Sequence, residues 1–205
     1  MTHLKLTYNI SEWSELNLNY WGIPKCGNTS IKKVLLDLSH RQIDPGSSKY
    51  WSWIHSEKHI QYITPSYAFT NGRVNFTVIR NPIDRFKSML KDFDRRPRQF
   101  FPRGEVATRE QFLSYLYDTS DAERDIHFRS ISYFITNDIY DGPLPETVLF
   151  LEDVQEISEY LGAPIPTLNS IPDTQEYLTQ EEYECACHVF GEDISLFQSL
   201  GRIPK

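Results

Sequence analysis

The sequence predicts an α/β protein in which a central, mostly parallel sheet is flanked by helices in three layers. Apolar runs at 18–23 and 74–79 each lead through a short connection into a helical pattern. A further apolar run at 147–151 is also followed by a helical pattern. Strands that alternate with helices form right-handed βαβ units, which place the strands parallel to one another.

Composition limits the class of protein. With 205 residues, 40% of them hydrophobic, the chain can bury one substantial core, so we predict a single domain over residues 1–205. It has no run of 18 apolar residues and no signal-peptide pattern, so we expect no membrane span. Three cysteines, an odd number, fit a reducing compartment, and we expect a cytoplasmic location. A net charge of −7 argues against nucleic acid as a partner.

The N-terminal quarter contains the most informative loop. Residues 1–15 are predicted only as an edge strand or an arm. The aromatic-rich run at 18–23 is predicted as a buried strand, which Pro24 ends because proline cannot donate to a sheet. Gly27 permits a tight turn, and the helical spacing of the following apolar residues predicts a helix, with one face formed by Ile31, Val34, Leu35 and Leu38. Such a loop directs N–H groups at one place, which suits phosphate or sulfate.

This loop is P-loop-like without being a Walker A motif. Gly22 and Gly27 have the Walker spacing, but Asn28 stands where the Walker lysine belongs. The only lysine of the loop is Lys25, and the strand at 74–79 ends without a Walker B carboxylate. These departures argue against a Mg²⁺-dependent ATPase or GTPase. The alternative is a strand-to-helix turn that binds nothing.

The next segment is predicted to complete a βαβ unit. Residues 50–55 are rich in aromatic residues and are predicted as a strand beside the phosphate loop. His55 would then lie at the carboxyl end of that strand. Residues 56–73 contain Pro65 and an Asn-Gly pair, and we predict a short helix or turn followed by a loop.

The clearest strand, at 74–79, leads into a helix. Asn81 is the expected N-cap, Pro82 suits the first turn, and Asp84 lies near the positive helix end. The buried face is predicted as Ile83, Phe86, Met89, Leu90 and Phe93. Arg80 falls at the carboxyl end of the strand, the edge where α/β sheets bind ligands. Arg85 is predicted as an ion-pair partner on its own helix.

A basic segment follows. Residues 91–104 hold five basic and two acidic residues, and their prolines and glycine argue against a long helix. The segment is predicted as a loop, extending to 107, that is either a solvated linker or a site for an anionic acceptor. Its candidate substrate contacts are Arg95, Arg96 and Arg98.

The last third alternates caps and helices. Capping boxes at Thr108 and Thr179 each predict a helix start, and 121–136 is predicted as a further helix. A strand at 147–151 precedes a helix that reaches Leu161, with Gly162 as its C-cap. Cys185 and Cys187 are two residues apart on a helix, so one is expected to face the core and the other the surface. We expect no metal site.

Two motifs together resemble the sulfotransferases that use 3′-phosphoadenosine 5′-phosphosulfate (PAPS), most closely the carbohydrate branch. They are Pro-Lys-Cys-Gly-Asn-Thr-Ser at 24–30 and Arg-Asn-Pro-x-Asp-Arg-x-x-Ser at 80–88. The resemblance implies that PAPS is the sulfuryl donor and PAP (3′,5′-adenosine bisphosphate) the product. It implies that Arg80 and Ser88 bind the 3′-phosphate, and that the 5′-phosphosulfate is held by Lys25, Cys26, Gly27, Asn28, Thr29 and Ser30. Lys25 would also be catalytic, in place of a metal ion.

Several residues are candidates for the general base and for contacts with the acceptor. An acceptor hydroxyl needs a general base, for which His55 is the first choice and Glu57, His59 and His127 are the rivals. His127 belongs to an Asp-x-His element that resembles one in carbohydrate sulfotransferases, so it is also a candidate substrate contact. The expected acceptor is a small molecule or glycan hydroxyl. The competing functions are a P-loop-like nucleotide or phosphate kinase and a non-catalytic PAP-binding module.

Overall fold

A computed structural model describes residues 9–40, 54, 60–96, 108–135, 143–168 and 177–204. The chain divides into two compact units: Met1–Ile79 with Phe134–Ser170, and Arg80–Tyr133 with Ile171–Lys205. The single domain over 1–205 stays a prediction. No helix in the described part of the chain combines the length and the apolarity needed to cross a bilayer.

The first unit contains a five-stranded mixed sheet in the order β3-β1-β2-β4-β5. Its strands are β1 (Ile10–Trp13), β2 (Leu18–Trp21), β3 (Gln61–Ile63), β4 (Val74–Ile79) and β5 (Thr147–Phe150). Strand β1 is antiparallel to both β2 and β3, whereas β4 is parallel to both β2 and β5. The α/β class with a partly parallel, helix-flanked sheet is therefore confirmed.

Helices of the first unit follow these strands. They are α1 (Asn28–Leu38), α2 (Pro65–Thr70) and α6 (Val154–Leu161). Three predicted core positions of α1, Ile31, Val34 and Leu35, are buried and pack with Tyr20 and Phe76, whose rings stack 5.0 Å apart. Gly162 ends α6 with a left-handed φ of 68°, as predicted.

The structure corrects the prediction that residues 1–15 form an edge strand or an arm. Strand β1 is neither an arm nor an edge strand, since β3 and β2 lie on its two sides. All four of its residues are buried, including Ser11 and Glu12. Glu12 is neutralised by Arg73, 2.8 Å away, and Trp13 donates to the Ser11 hydroxyl. The sequence of this strand shows no alternating apolar pattern, because its buried polar residues are stabilised by ionic and hydrogen-bonding partners.

The βαβ unit closes differently from the prediction. Over Leu18–Trp21, strand β2 pairs with β1 on one side and with β4 on the other, so β4 is its parallel partner. The strand predicted at 50–55 was expected to complete this unit. Apart from Ile54, which lies in a turn, that segment is outside the described residues. For residues 56–73 the sequence predicts a short helix or turn followed by a loop. Helix α2 agrees with that prediction, whereas the short strand β3 is not part of it.

The second unit consists of helices: α3 (Pro82–Arg95), α4 (Arg109–Asp118), α7 (Gln180–Val189) and α8 (Gly191–Ser199). The Asn81 side chain accepts from the Ile83 N–H at 2.9 Å, and both predicted capping boxes are present at Thr108 and Thr179. The predicted apolar face of α3 is buried, and its Phe93 stacks on Phe112 at 4.5 Å.

Two predicted segments of this region differ in the structure. Residues 91–95 are helical, because the first proline of the basic segment comes only at position 97; residues 97–107 are outside the described part. The predicted helix at 121–136 is instead a turn, a 3₁₀ turn (Ile126–Phe128) and the short helix α5 (Ile131–Ile135). Asp121 accepts from the Ser130 N–H and Asp125 from the His127 N–H, and such bonds compete with helix formation.

Candidate active site

The candidate site begins at the carboxyl end of β2. The chain leaves Trp21, turns through residues 22–27 and enters α1 at Asn28. Strand β4 is parallel to both β2 and β5, so the carboxyl ends of these three strands lie at the same edge of the sheet. This is the edge at which α/β sheets bind ligands.

The middle of the loop is a tight turn with a strained residue. The Cys26 N–H donates to the Ile23 carbonyl at 3.2 Å, with Pro24 and Lys25 between them. Lys25 has φ of 69°, in the left-handed region that usually requires glycine. A non-glycine residue held there costs on the order of 1–3 kcal/mol, and such strain is concentrated at functional sites.

Gly27 is the N-cap of α1, and this position requires glycine for two physical reasons. Its φ is 72°, and a Cβ at this position would lie only 2.7 Å from Cδ1 of Leu151. Its carbonyl accepts the first helical bond, from Ile31 at 3.0 Å. Because glycine has no side chain, Gly27 supplies no side-chain cap to the helix N-terminus, unlike Thr108 and Thr179. An uncapped N-terminus is suited to an external anion.

Asn28, which stands at the Walker lysine position, is directed toward Gly22. A Cβ on Gly22 would lie 2.6 Å from Oδ1 of Asn28, so the amide fits only because Gly22 has no side chain. Asn28 is 8% exposed, and its buried Oδ1 has no hydrogen-bond partner among the described residues.

Ser30 has a structural partner. It is 6% exposed, and its hydroxyl accepts from the Leu168 N–H at 3.3 Å. Thr29 and Lys25 are half-buried at the loop. Cys26 is fully buried, which places its side chain beneath the loop.

The second motif starts where β4 ends. Arg80 follows Ile79 directly and is half-buried, and Ser88 is half-buried in the second turn of α3. Arg85, between them, was predicted as an ion-pair partner on its own helix, but it also reaches residues outside that helix. It is 1% exposed, donates to the Arg129 carbonyl at 2.6 Å and lies 3.8 Å from the Asp193 carboxylate.

Asp193 is a buried carboxylate in α8 that contacts residues far from it in the sequence. It is 1% exposed and accepts from the N–H groups of Ile131 and Ser132 at 2.7 and 2.8 Å. Burial raises its pKa, and the Arg85 guanidinium acts in the opposite direction. This buried pair holds α3, α5 and α8 together and has a structural role.

His127 is the predicted substrate residue with the most informative contacts. It lies in the 3₁₀ turn, and its Nδ1 is 2.6 Å from the Asp125 carboxylate. A carboxylate at Nδ1 favours the tautomer with a basic Nε2. The His127 side chain is 37% exposed.

The remaining predicted residues divide into two groups. Arg95 is exposed at the end of α3, whereas Arg96 donates to the Asp92 carboxylate at 3.1 Å. Four predicted residues lie outside the described part of the chain: His55, Glu57, His59 and Arg98.

Within the described ranges no three His, Cys, Asp or Glu side chains form a metal-binding cluster. Cys185 is buried, as predicted, whereas Cys187, which was expected at the surface, is half-buried against the core.

A glycine-containing loop, a helix N-terminus without a side-chain cap and a partly parallel sheet are features of α/β proteins that bind phosphorylated nucleotides. The sulfotransferase family model matches residues 14–184. The chain therefore belongs to the sulfotransferase family, a family of PAPS-dependent enzymes. Neither the curated proteins nor the solved structures include a match to the chain.

Proposed function

We propose that this enzyme transfers a sulfuryl group from PAPS to a hydroxyl group of a carbohydrate, without a divalent metal. Family membership supports PAPS as the donor. The observation that carries the site is the loop itself: a lysine held at positive φ beside a helix N-terminus that Gly27 leaves without a side-chain cap. The carbohydrate acceptor rests on the resemblance of the Asp125–His127 element and on the basic segment after α3.

The loop can hold the 5′-phosphosulfate mainly through backbone N–H groups. Gly22 and Leu168 hold the side chains of Asn28 and Ser30 inward. We therefore assign to these two residues backbone contacts, together with Gly27, and to Thr29 a hydroxyl contact. PAPS would supply an activated sulfuryl group, and when its bridging S–O bond breaks, the electron pair of that bond would remain on the 5′-phosphate oxygen and add negative charge there. The Lys25 ammonium is assigned to neutralise that charge, which is an electrostatic role that a metal ion has in kinases.

The 3′-phosphate is assigned to Arg80 and Ser88. Replacing Arg80 with alanine is expected to weaken PAP binding about 10- to 100-fold, since a hydrogen bond to a charged group contributes about 1.5–3 kcal/mol. Adenosine 5′-monophosphate, which lacks the 3′-phosphate, should bind the variant and the parent equally. Calorimetric titration of both ligands measures this.

Arg95 provides the matched control for that titration, since it is an exposed arginine on the same helix. Arg95→Ala should leave PAP affinity within about twofold. Equal losses for PAP and the monophosphate in Arg80→Ala would contradict the 3′-phosphate assignment.

The base is proposed to be His55, with His127 as the described alternative because Asp125 orients its ring. Removing the base should lower kcat about 10²–10⁴-fold while PAP affinity is retained. A mass-spectrometric screen of glycan and phenol acceptors with PAPS identifies the substrate on which His55→Ala and His127→Ala are compared. Transfer to phenols alone, with no glycan sulfated, would overturn the carbohydrate proposal.

A further inference from the structure

Lys32 is a fully buried cation in the second turn of α1. Its ammonium donates to Oδ1 of Asn9 at 2.7 Å and to the Tyr62 hydroxyl at 2.9 Å, and it lies 4.8 Å from the centre of the Tyr62 ring. Both acceptors are neutral groups, and within the described residues no carboxylate pairs with it. A buried ammonium without a counterion is costly, so stability alone does not account for a lysine at this position.

Asn9 connects this ammonium to the phosphate loop. The Asn9 amide accepts from Lys32 through Oδ1 and donates through Nδ2 to the Gly22 carbonyl at 2.9 Å. The Gly22 N–H returns a bond of 2.9 Å to the Asn9 carbonyl. Gly22 is also the residue against which the Asn28 amide is seated. One line of contacts therefore runs from Lys32 through Asn9 and Gly22 to the first residue of α1.

We propose that Lys32 is a positioning residue of the phosphate loop, whose buried ammonium holds Asn9 and, through Asn9, fixes the Gly22 backbone in the form that binds the nucleotide. The proposal rests on the proposed function, in which the loop holds the 5′ end of PAPS. Lys32 itself lies beneath the loop and is not assigned a contact with the reacting atoms.

A protonation linkage follows from the burial. Burial lowers the pKa of Lys32 to about 7, so the ammonium is partly deprotonated just above neutral pH. A nucleotide anion at the loop favours the charged form. Nucleotide binding should therefore take up a proton above about pH 7, and PAP affinity should fall as the pH rises from 7 to 9. The groups facing the ammonium are the Asn9 amide and the Tyr62 phenol.

The test compares parent, Lys32→Met and Lys33→Met by calorimetric titration of PAP at pH 6.5–9, in buffers of different ionisation enthalpy. Methionine keeps the length of the lysine stem without a charge. Lys33 is the neighbouring lysine, pairs with Asp37 at the surface and serves as the matched control. Lys32→Met should bind PAP about tenfold more weakly at pH 6.5 and lose the proton uptake seen in the parent, whereas Lys33→Met should match the parent.

Two outcomes are kept distinct. If the parent does not bind PAP, the proposed function fails and this inference fails with it. If the parent binds PAP but Lys32→Met shows the same affinity and the same proton uptake, only the positioning role is overturned. Asn9→Ala supplies an independent readout if Lys32→Met does not fold. It should weaken PAP binding with Lys32 present, and an unchanged affinity would contradict the proposed line of contacts.

Discussion

Lys25→Ala is expected to lower kcat/KM for sulfuryl transfer about 10²–10³-fold, the loss seen when one preorganised transition-state donor is removed. The physical reason is that the proposed site places this ammonium beside the departing 5′-phosphate, on a backbone that the loop already fixes at φ of 69°. Steady-state kinetics with PAPS measure the loss. Lys33→Ala, on the surface of the same region, should leave the rate unchanged.

Lys25→Gly separates the cation from the backbone strain. Glycine adopts positive φ without steric cost, so this variant should be more stable than Lys25→Ala by about 1 kcal/mol, while both lose activity to the same extent. A Lys25→Gly enzyme that retained the parent's rate would show that the side chain has no catalytic role. Equal unfolding midpoints for the two variants would show that the turn is not strained.

Gly27→Ala is expected to destabilise the first unit by more than the cost of its positive φ, which is about 1–2 kcal/mol, and to reduce PAP binding. The excess arises because the new Cβ would meet Leu151 Cδ1 at 2.7 Å. Denaturant unfolding, with calorimetry for PAP, measures both effects.

Gly162→Ala is the matched control, because Gly162 has φ of 68° and open space around the Cβ position. It should show the backbone cost alone and normal PAP binding. Truncating Leu151 to alanine should recover part of the Gly27→Ala defect, since it removes the atom that clashes. Equal destabilisation by the two glycine variants, without recovery in the double variant, would contradict the packing argument.

Features encoded by neighbouring residues were predictable from the sequence. The caps at Asn81, Thr108 and Thr179 and the C-cap at Gly162 depend on residues two to four positions away, and all four are confirmed. Strand β4 is rich in β-branched and apolar residues, and the structure gives it the predicted bounds.

Features that depend on distant partners were not predictable. Glu12 is tolerated inside β1 because Arg73, far along the chain, neutralises it. Arg85 also reaches Asp193 on α8, outside its own helix. Lys32 adjoins Lys33, a pair that is typical of a solvated helix face, and its burial depends on Asn9 and Tyr62. Strand β3, with three residues, is too short to show a period.

The candidate site shows the same division. The turn at 23–26 and the glycine at the N-terminus of α1 follow from local sequence, and the structure has both. The inward orientation of Asn28 and Ser30 depends on Gly22 and Leu168, so spacing alone could not distinguish backbone contacts from side-chain contacts. The roles of these residues toward the nucleotide stay a proposal.

The most direct test of the central claim is a calorimetric titration of the full chain with PAP in the presence of EDTA. We expect saturable binding with one nucleotide per chain, an affinity that added Mg²⁺ leaves unchanged, and a marked loss of affinity in Lys25→Ala. A folded protein that bound no PAP under these conditions, or that required Mg²⁺ to bind it, would contradict the account.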